Sequence, residues 1–218
     1  MRSFILFSLF PIICLASEPA KPSDANAGWK YATERDGLTI YSRPHAGSSL
    51  KEFRATGEIA ATPRAVSEVI EDVDAYPSFM PYMAECRLLK REKDWIVSYQ
   101  RISPKICCDR DLTVRSYKRS WPGIVRIVYS NRWESANEFS PPKKHGVARV
   151  ELCQGSWLLE PAGADRTRAT YSVYTDTGGL IPAFIANHFS QTGIGEVFAA
   201  VRKQVREPKY NGERATGP

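Results

Sequence analysis

The order of patterns along the chain predicts an α+β fold, in which a curved antiparallel sheet wraps around one long C-terminal helix. Three observations predict this class. Runs of alternating apolar and polar residues, separated by turn signals, follow one another between residues 86 and 174. A helical pattern precedes these runs at residues 62–73. A second helical pattern closes the domain after Pro182.

The predicted strands are recognised by alternation and by the turn residues between them. Two short strands come first, one near Leu38–Tyr41 after the Asp36-Gly37 turn and one over residues 50–59. Six strands follow the first helix, at residues 86–89, 95–102, 110–117, 124–133, 147–160 and 166–174. Consecutive strands at this spacing are typical of a meandering antiparallel sheet.

Both helices have identifiable signals. Thr62 suits the N-cap of the first helix and Pro63 its first turn, while Pro77 and Pro81 are expected to end helical structure. The C-terminal helix is amphipathic, because its apolar residues recur at spacings of three and four. These residues are Ile194, Val197, Phe198, Val201 and Val205.

The N-terminal segment has the layout of a secretory signal peptide. Arg2 precedes the apolar stretch 4–15, which is shorter than the ~20 residues that a membrane span needs, and the small residue Ala16 follows. We therefore expect residues 1–16 to be a signal peptide and the protein to be exported, to the periplasm or outside the cell. Residues 17–28 are predicted to be a linker, 29–206 the domain and 207–218 a flexible tail.

Composition excludes several classes of function. Loss of residues 1–16 lowers the net charge from +6 to +5. This charge is too small and too dispersed to predict nucleic-acid binding, but it is compatible with transient contact with an anionic membrane.

Cysteines 86, 107, 108 and 153 allow three disulfide pairings, and free thiols are equally compatible with the sequence. Since zinc spacings and catalytic or dinucleotide fingerprints are absent from the sequence, no metal, cofactor or catalytic residue is predicted.

Several local motifs occur in an order that resembles one known family. They are Gly37-Leu38-Thr39-Ile40-Tyr41 after Trp29, Phe53-Arg54-Ala55, Arg110-Asp111-Leu112, Gly155-Ser156-Trp157-Leu158-Leu159-Glu160-Pro161, the Asp-x-Gly-Gly-x-x-Pro turn at 176–182, and Asn187. Over roughly residues 29–206 the chain resembles the START (StAR-related lipid transfer) domain of the Bet v 1-like helix-grip superfamily. The resemblance implies a monomer with a hydrophobic tunnel between sheet and helix, which holds one sterol, phospholipid or similar lipid without a cofactor.

Candidates for the tunnel lining are apolar and aromatic residues expected on the concave side of the sheet, together with two residues of the last helix. An ordinary packed core would use the same residue types. The candidates are Tyr99, Val114, Ile127, Tyr129, Trp157, Tyr171, Val173, Phe184 and His188.

Arg110 and Arg115 are further candidates, because some START domains bury a charged residue on this strand against a carboxylate of the preceding strand. Here the preceding strand holds Gln100 and no acid. A buried arginine without a partner is costly, so we expect a ligand phosphate or Asp111 to neutralise it. The alternative is an exposed Arg-Asp pair at the start of the strand.

Non-catalytic lipid binding is the function that the resemblance favours, and two alternatives stay open. An aromatase/cyclase of the same superfamily would hold a small cyclic substrate and use Tyr99 or Tyr171 as a proton donor. A ligand-free interaction module would fill the space between sheet and helix with side chains.

Overall fold

The computed structural model of the protein describes residues 28–104, 107–176 and 181–211, without the side chains of residues 184, 189 and 211. Its strands are β1 (Lys30–Arg35), β2 (Leu38–Pro44), β3 (Lys51–Ile59), β4 (Met83–Arg91), β5 (Trp95–Ile102), β6 (Arg110–Pro122), β7 (Ile127–Ser135), β8 (Ala148–Arg149), β9 (Leu152–Pro161) and β10 (Thr167–Asp176). Its helices are α1 (Pro63–Glu71), α2 (Tyr76–Phe79), α3 (Ala183–Gln204) and α4 (Pro208–Asn211). The predicted signal peptide and the linker up to residue 27 lie outside the described residues.

The strands form one antiparallel sheet in the order β1-β2-β3-β10-β9-β7-β6-β5-β4. The first three strands join the last two through the β3–β10 pair, where Ala55 lies opposite Tyr171. The two-residue strand β8 pairs in parallel with the start of β6. This sheet and the long helix α3 confirm the predicted α+β class.

Helix α3 runs beside β3 from one end of the strand to the other. Near its start, the Asn187 side chain accepts a hydrogen bond from the Lys51 backbone nitrogen at 2.9 Å. Near its end, Arg202 donates to the Glu58 carbonyl oxygen at 3.0 Å. The C-terminal half of α3 packs Phe198 and Val201 into the main core, and neither side chain is solvent-exposed.

Helix α1 fills the space beside the C-terminal half of α3. Thr62 caps it as predicted, because its hydroxyl accepts a hydrogen bond from the Ala65 backbone nitrogen. Val66 and Val69 are completely buried in the same core cluster. Glu71, its last residue, pairs with Lys118 of β6 at 2.7 Å. Helix α1 therefore covers one end of the sheet.

Two details of the predicted elements differ in the structure. Pro77 does not end helical structure, since it occupies the first turn of α2, where a missing amide hydrogen costs nothing. The strand predicted over residues 147–160 is divided into β8 and β9 around Val150, which turns into a small core cluster with Leu112.

The described helix α4 lies beyond the predicted domain end at residue 206. Tyr210 of α4 is buried, and its hydroxyl donates to Asp72 at 2.8 Å. Lys209 pairs with the same carboxylate at 2.7 Å. The first residues of the predicted tail thus pack against the end of α1. Within the described part of the chain, no helix has both the length and the hydropathy needed to cross a bilayer.

Candidate functional site

The inner face of the sheet, defined here as the side that α3 covers, follows from the strand register. Residues opposite each other in antiparallel strands point to the same side. Trp133 lies opposite Gly155, Gly155 opposite Val173, and Val173 opposite Phe53. Because Phe53 belongs to the core that α3 contacts, this whole row faces the helix.

An aromatic group occupies the centre of the inner face. The ring of Trp157 lies 4.6 Å from that of Tyr171 and 5.0 Å from that of Phe198 on α3, measured between centroids. Trp133 stacks on Tyr171 at 5.6 Å. Gly155 makes this stacking possible, because a Cβ there would lie 2.3 Å from the Trp133 ring.

These aromatic side chains are covered unequally. Trp157 and Phe198 are buried, whereas Trp133, Tyr171 and Val173 are only half-buried, although all of them lie on the inner face. Trp133 and Val173 lie in the row of Phe53, near the Asn187 end of α3, and Tyr171 lies in the next row. The N-terminal half of α3 thus leaves apolar inner-face surface incompletely covered, which is the property expected of a ligand cavity.

Polar groups border this apolar surface on β5 and β6. Ser98 and Gln100 point to the inner side, and the Gln100 amide nitrogen donates to the Ser98 hydroxyl at 3.2 Å. Arg110 is buried at the start of β6, where its guanidinium donates to the Cys108 carbonyl oxygen at 2.6 Å and to the Cys107 sulfur at 2.9 Å. One edge of the site is therefore polar.

Asp111 is not the partner of Arg110, since the two side chains point to opposite faces of the sheet. The Asp111 carboxylate pairs with Arg149 at 2.7 Å and accepts a hydrogen bond from the Tyr99 hydroxyl at 3.3 Å. Burial opposes its ionisation, but the hydrogen bonds and the charge of Arg149 outweigh burial and lower the pKa of Asp111. A pair between Arg110 and Asp111, buried or exposed, is therefore wrong, and the ligand phosphate expected as the other partner of Arg110 stays a prediction.

Two predicted lining residues, Tyr99 and Arg115, lie on the outer face. Tyr99 is opposite Thr113 and is fully buried beneath the segment that follows β7. Arg115 binds Glu138 of that segment at 3.1 Å and lies over the rings of Trp95 and Phe139. Neither side chain reaches the space between sheet and helix, because odd-numbered residues of both strands point outward.

The remaining predicted lining residues do not all lie on the inner face. Val114, Tyr129, Trp157, Tyr171 and Val173 lie on the inner face. Ile127 is half-exposed at the tip of the β6–β7 hairpin, beyond the helix, and does not line the site. The Phe184 side chain lies outside the described residues. His188 lines a separate groove of about 140 Å³ between α3 and the β1–β2 hairpin, with Leu38 and Gln191 among its neighbours.

Several residues of the site were not among the sequence candidates. Trp133 was missed, although it follows Tyr129 by four residues and shares its face. Ser98 and Gln100 were missed because polar residues on a strand are usually assigned to solvent. In the residues that the structure describes, no cluster of potential metal ligands occurs, and all four cysteines have free thiols.

A family model described as "Polyketide cyclase / dehydrase and lipid transport" matches residues 59–202. The chain belongs to this family. An uncharacterised protein of Pseudomonas aeruginosa is 31% identical over 164 residues, which cover 74% of this chain and 78% of that relative. Phosphatidylcholine transfer protein from Mus musculus is 26% identical over 181 residues, 82% of this chain and 84% of the mouse protein.

Among solved structures, a STAR-related lipid transfer protein from Xanthomonas axonopodis has a similar fold, with a TM-score of 0.75 and 28% sequence identity. The match covers 83% of this chain and 99% of that fragment. The START resemblance inferred from the motifs is therefore confirmed, and so is the helix-grip arrangement of sheet and C-terminal helix.

Proposed function

We propose that the protein binds one lipid molecule, a phospholipid or a sterol, between the inner face of the sheet and the N-terminal half of α3, without changing it chemically. The incomplete cover of Trp133, Tyr171 and Val173 carries this proposal. Exposed apolar surface is costly in water, so an apolar ligand that covers these side chains would be stabilised there.

The similarity to lipid transfer proteins supports the same conclusion. The relatives from mouse and from Xanthomonas axonopodis are named for phosphatidylcholine transfer and for lipid transfer. In this chain, Ser98, Gln100 and Arg110 are polar groups at the edge of the apolar surface. Such an arrangement suits an amphipathic ligand with its polar end toward β5 and β6.

A cyclase is the alternative, because the family description includes polyketide cyclases. Of the two tyrosines considered as proton donors, Tyr99 is held on the outer face by Asp111. Tyr171 lies on the inner face, and burial raises the pKa of its hydroxyl. This group would keep its proton at neutral pH, so only a role as hydrogen-bond or proton donor is open to it.

Lipid binding is testable by blocking the site. We expect Val173→Trp to lower the affinity for a fluorescent phosphatidylcholine or sterol analogue by about tenfold or more, because the indole would occupy space on the inner face. Arg168→Trp, on the outer face of the same strand, is the matched control and should bind as the parent does. Tyr171→Ala, which adds no volume, serves if Val173→Trp does not fold.

The outcomes separate the alternatives. Equal affinity in all inner-face variants would contradict a site between sheet and helix. Native mass spectrometry of the purified protein should show one intact lipid per chain. A co-purifying aromatic cyclised product would instead favour the cyclase.

We also propose export, on the basis of the segment before Ala16. N-terminal sequencing of the protein from its host should then begin near Ser17, and an intact Met1 on the soluble protein would contradict export.

A further inference from the structure

The tip of the β6–β7 hairpin, residues 119–127, is apolar and strongly exposed. Ile124 and Val125 are 105% and 83% exposed, and Trp121 and Ile127 are 42% and 49% exposed. Other exposed large apolar side chains, such as Tyr31, Leu89 and Leu152, lie on separate elements. Contiguous exposed apolar surface on a folded protein is typical of an interaction site.

The hairpin geometry holds these side chains at an apex. Pro122 and Ile127 form the last pair of the ladder, and the Gly123 nitrogen donates to the Arg126 carbonyl oxygen at 2.8 Å. A Cβ at position 123 would lie 2.6 Å from that carbonyl oxygen, so glycine is needed for this tight turn. Ile124 and Val125 occupy turn positions where polar residues and glycine usually occur.

The charges around the apex are mainly positive. The sequence from Leu112 to Trp133 contains no aspartate or glutamate. Arg119 and Arg126 flank the apex, and the Arg126 guanidinium donates to an uncharged group, the Ala164 carbonyl oxygen. The adjoining turn adds the acid Asp165 and also Arg166, which pairs with Glu58.

We propose that this tip inserts into the interface of an anionic phospholipid membrane. Ile124 and Val125 would enter the boundary of the acyl chains, and Trp121 would lie at the level of the headgroups. Arg119 and Arg126 would contact lipid phosphates. An anionic bilayer is the partner that matches an apolar apex and a basic surround together.

The position of the tip assigns it an anchoring role that goes beyond the proposed lipid binding. Strand β6 has 13 residues and spans roughly 43 Å at about 3.3 Å per residue. The tip is at one end of β6, and Arg110 is at the other, close to the polar edge of the inner face. Trp133 of the inner-face site pairs with Ser116, six residues before Pro122 and thus roughly 20 Å from the tip at about 3.3 Å per residue. Membrane contact at the tip therefore keeps both the aromatic surface and the polar edge away from that bilayer.

Co-sedimentation of the purified protein with vesicles tests the proposal. Vesicles of equal parts phosphatidylglycerol and phosphatidylcholine should bind the protein, and pure phosphatidylcholine should bind it more weakly. Ile124→Ser with Val125→Ser should lower partitioning into the anionic vesicles by about tenfold or more, because two apolar side chains lose their burial. Leu89→Ser with Leu152→Ser is the matched control, since both leucines are exposed on other elements.

A second pair of variants tests the charges. Arg119→Gln with Arg126→Gln should weaken binding to the anionic vesicles, while Arg35→Gln, an exposed arginine of β1, should have a smaller effect. All tip variants should keep the parent's melting temperature and its affinity for the fluorescent lipid. A loss of lipid affinity in Val173→Trp alone would thus concern the inner-face site and not the tip.

Three results would overturn membrane docking. The parent protein could fail to bind anionic vesicles, or the tip variants could bind them as the parent does. The third is a parent that self-associates without vesicles while the tip variants are monomers, which would make a second copy of the chain the partner.

Discussion

The two wings of the sheet are stabilised from opposite sides. Around β3, β9 and β10, the inner face carries the packing, with Trp157 and Leu159 of β9 buried in one cluster with Phe198 of α3. Around β5 and β6, part of the inner face is polar or half-covered, and the most completely buried side chains include Tyr99 and Thr113 on the outer face. We call these the inner-packed wing and the outer-packed wing.

The outer-packed wing owes its cover to the segment between β7 and β9. Ser140 donates to the Thr113 hydroxyl at 2.7 Å, and Arg149 binds Asp111 with two hydrogen bonds of 2.7 and 2.8 Å. This layer buries Asp111 and Thr113, which point outward, whereas residues 110, 112 and 114 are buried on the inner side. A second layer on the outer side therefore stabilises this wing in addition to the packing on its inner face, where Ser98 and Gln100 are polar.

The largest effect that distinguishes the wings is expected from Phe198→Ala. Phe198 is fully buried between Trp157 and α1, so its loss should lower the free energy of unfolding by about 3–5 kcal/mol. Chemical denaturation measures this change. Val197→Ala, next to it on α3 and half-buried, is the control and should cost less than half as much. Equal effects would contradict an inner-packed wing.

A comparable loss is expected when the outer layer is broken. Asp111→Asn leaves Arg149 buried with an uncompensated charge, which should cost about 3–5 kcal/mol of unfolding free energy. Asp109→Asn is the matched control, since its pair with Arg101 is more exposed and is expected to be worth about 1 kcal/mol or less. Replacing Asp111 and Arg149 together by apolar residues should recover much of the stability.

The pH dependence of this variant has a defined sign. Because the folded protein lowers the pKa of Asp111, the carboxylate contributes stability above its unfolded pKa of about 3.9. That contribution is lost as pH falls through the folded pKa. The parent should therefore lose more stability than Asp111→Asn between pH 5 and about pH 3. Parallel pH curves for the two proteins would mean that the carboxylate is not preferentially ionised in the fold.

The difference between the wings also explains which predictions the sequence allowed. On β10, alternation identifies the inner residues, because Ala169, Tyr171 and Val173 are apolar and Arg168 and Thr170 are polar. On β6, residues 110–114 are buried on both sides, so alternation defines two faces without telling which one meets α3. Arg115 of β6 was expected on the wrong face for this reason, and so was Tyr99 of β5, where residues 97–99 are likewise all buried.

A second class of features that the sequence did not predict is contacts between residues far apart in the chain. The outer layer depends on Arg149 meeting Asp111 across 38 residues, and α4 depends on Tyr210 meeting Asp72 across 138. Local patterns do not contain such pairings. The family resemblance supplied the sheet and the long helix, but it implied neither the outer pair nor the burial of Tyr210.

The smallest effect concerns how α3 is held at its two ends. Asn187 bonds the Lys51 nitrogen and the Ser49 carbonyl oxygen, while Arg202 bonds the carbonyl oxygens of Glu58 and Asp36. Both side chains therefore tie the helix to strand backbone. Only the Asn187 end covers the half-buried part of the inner face, so its release should open the proposed ligand site.

We expect Asn187→Ala to raise amide hydrogen exchange in residues 183–192 by about threefold to tenfold, the equivalent of one or two hydrogen bonds. Exchange in residues 196–204 should stay as in the parent, because Phe198 and Val201 anchor that half in the core. Arg202→Ala, the matched control, should leave residues 183–192 unchanged. Release of the fluorescent lipid should also be faster in Asn187→Ala. A uniform rise in exchange along α3 would show that the helix opens as one unit, which would contradict a separate opening of its N-terminal half.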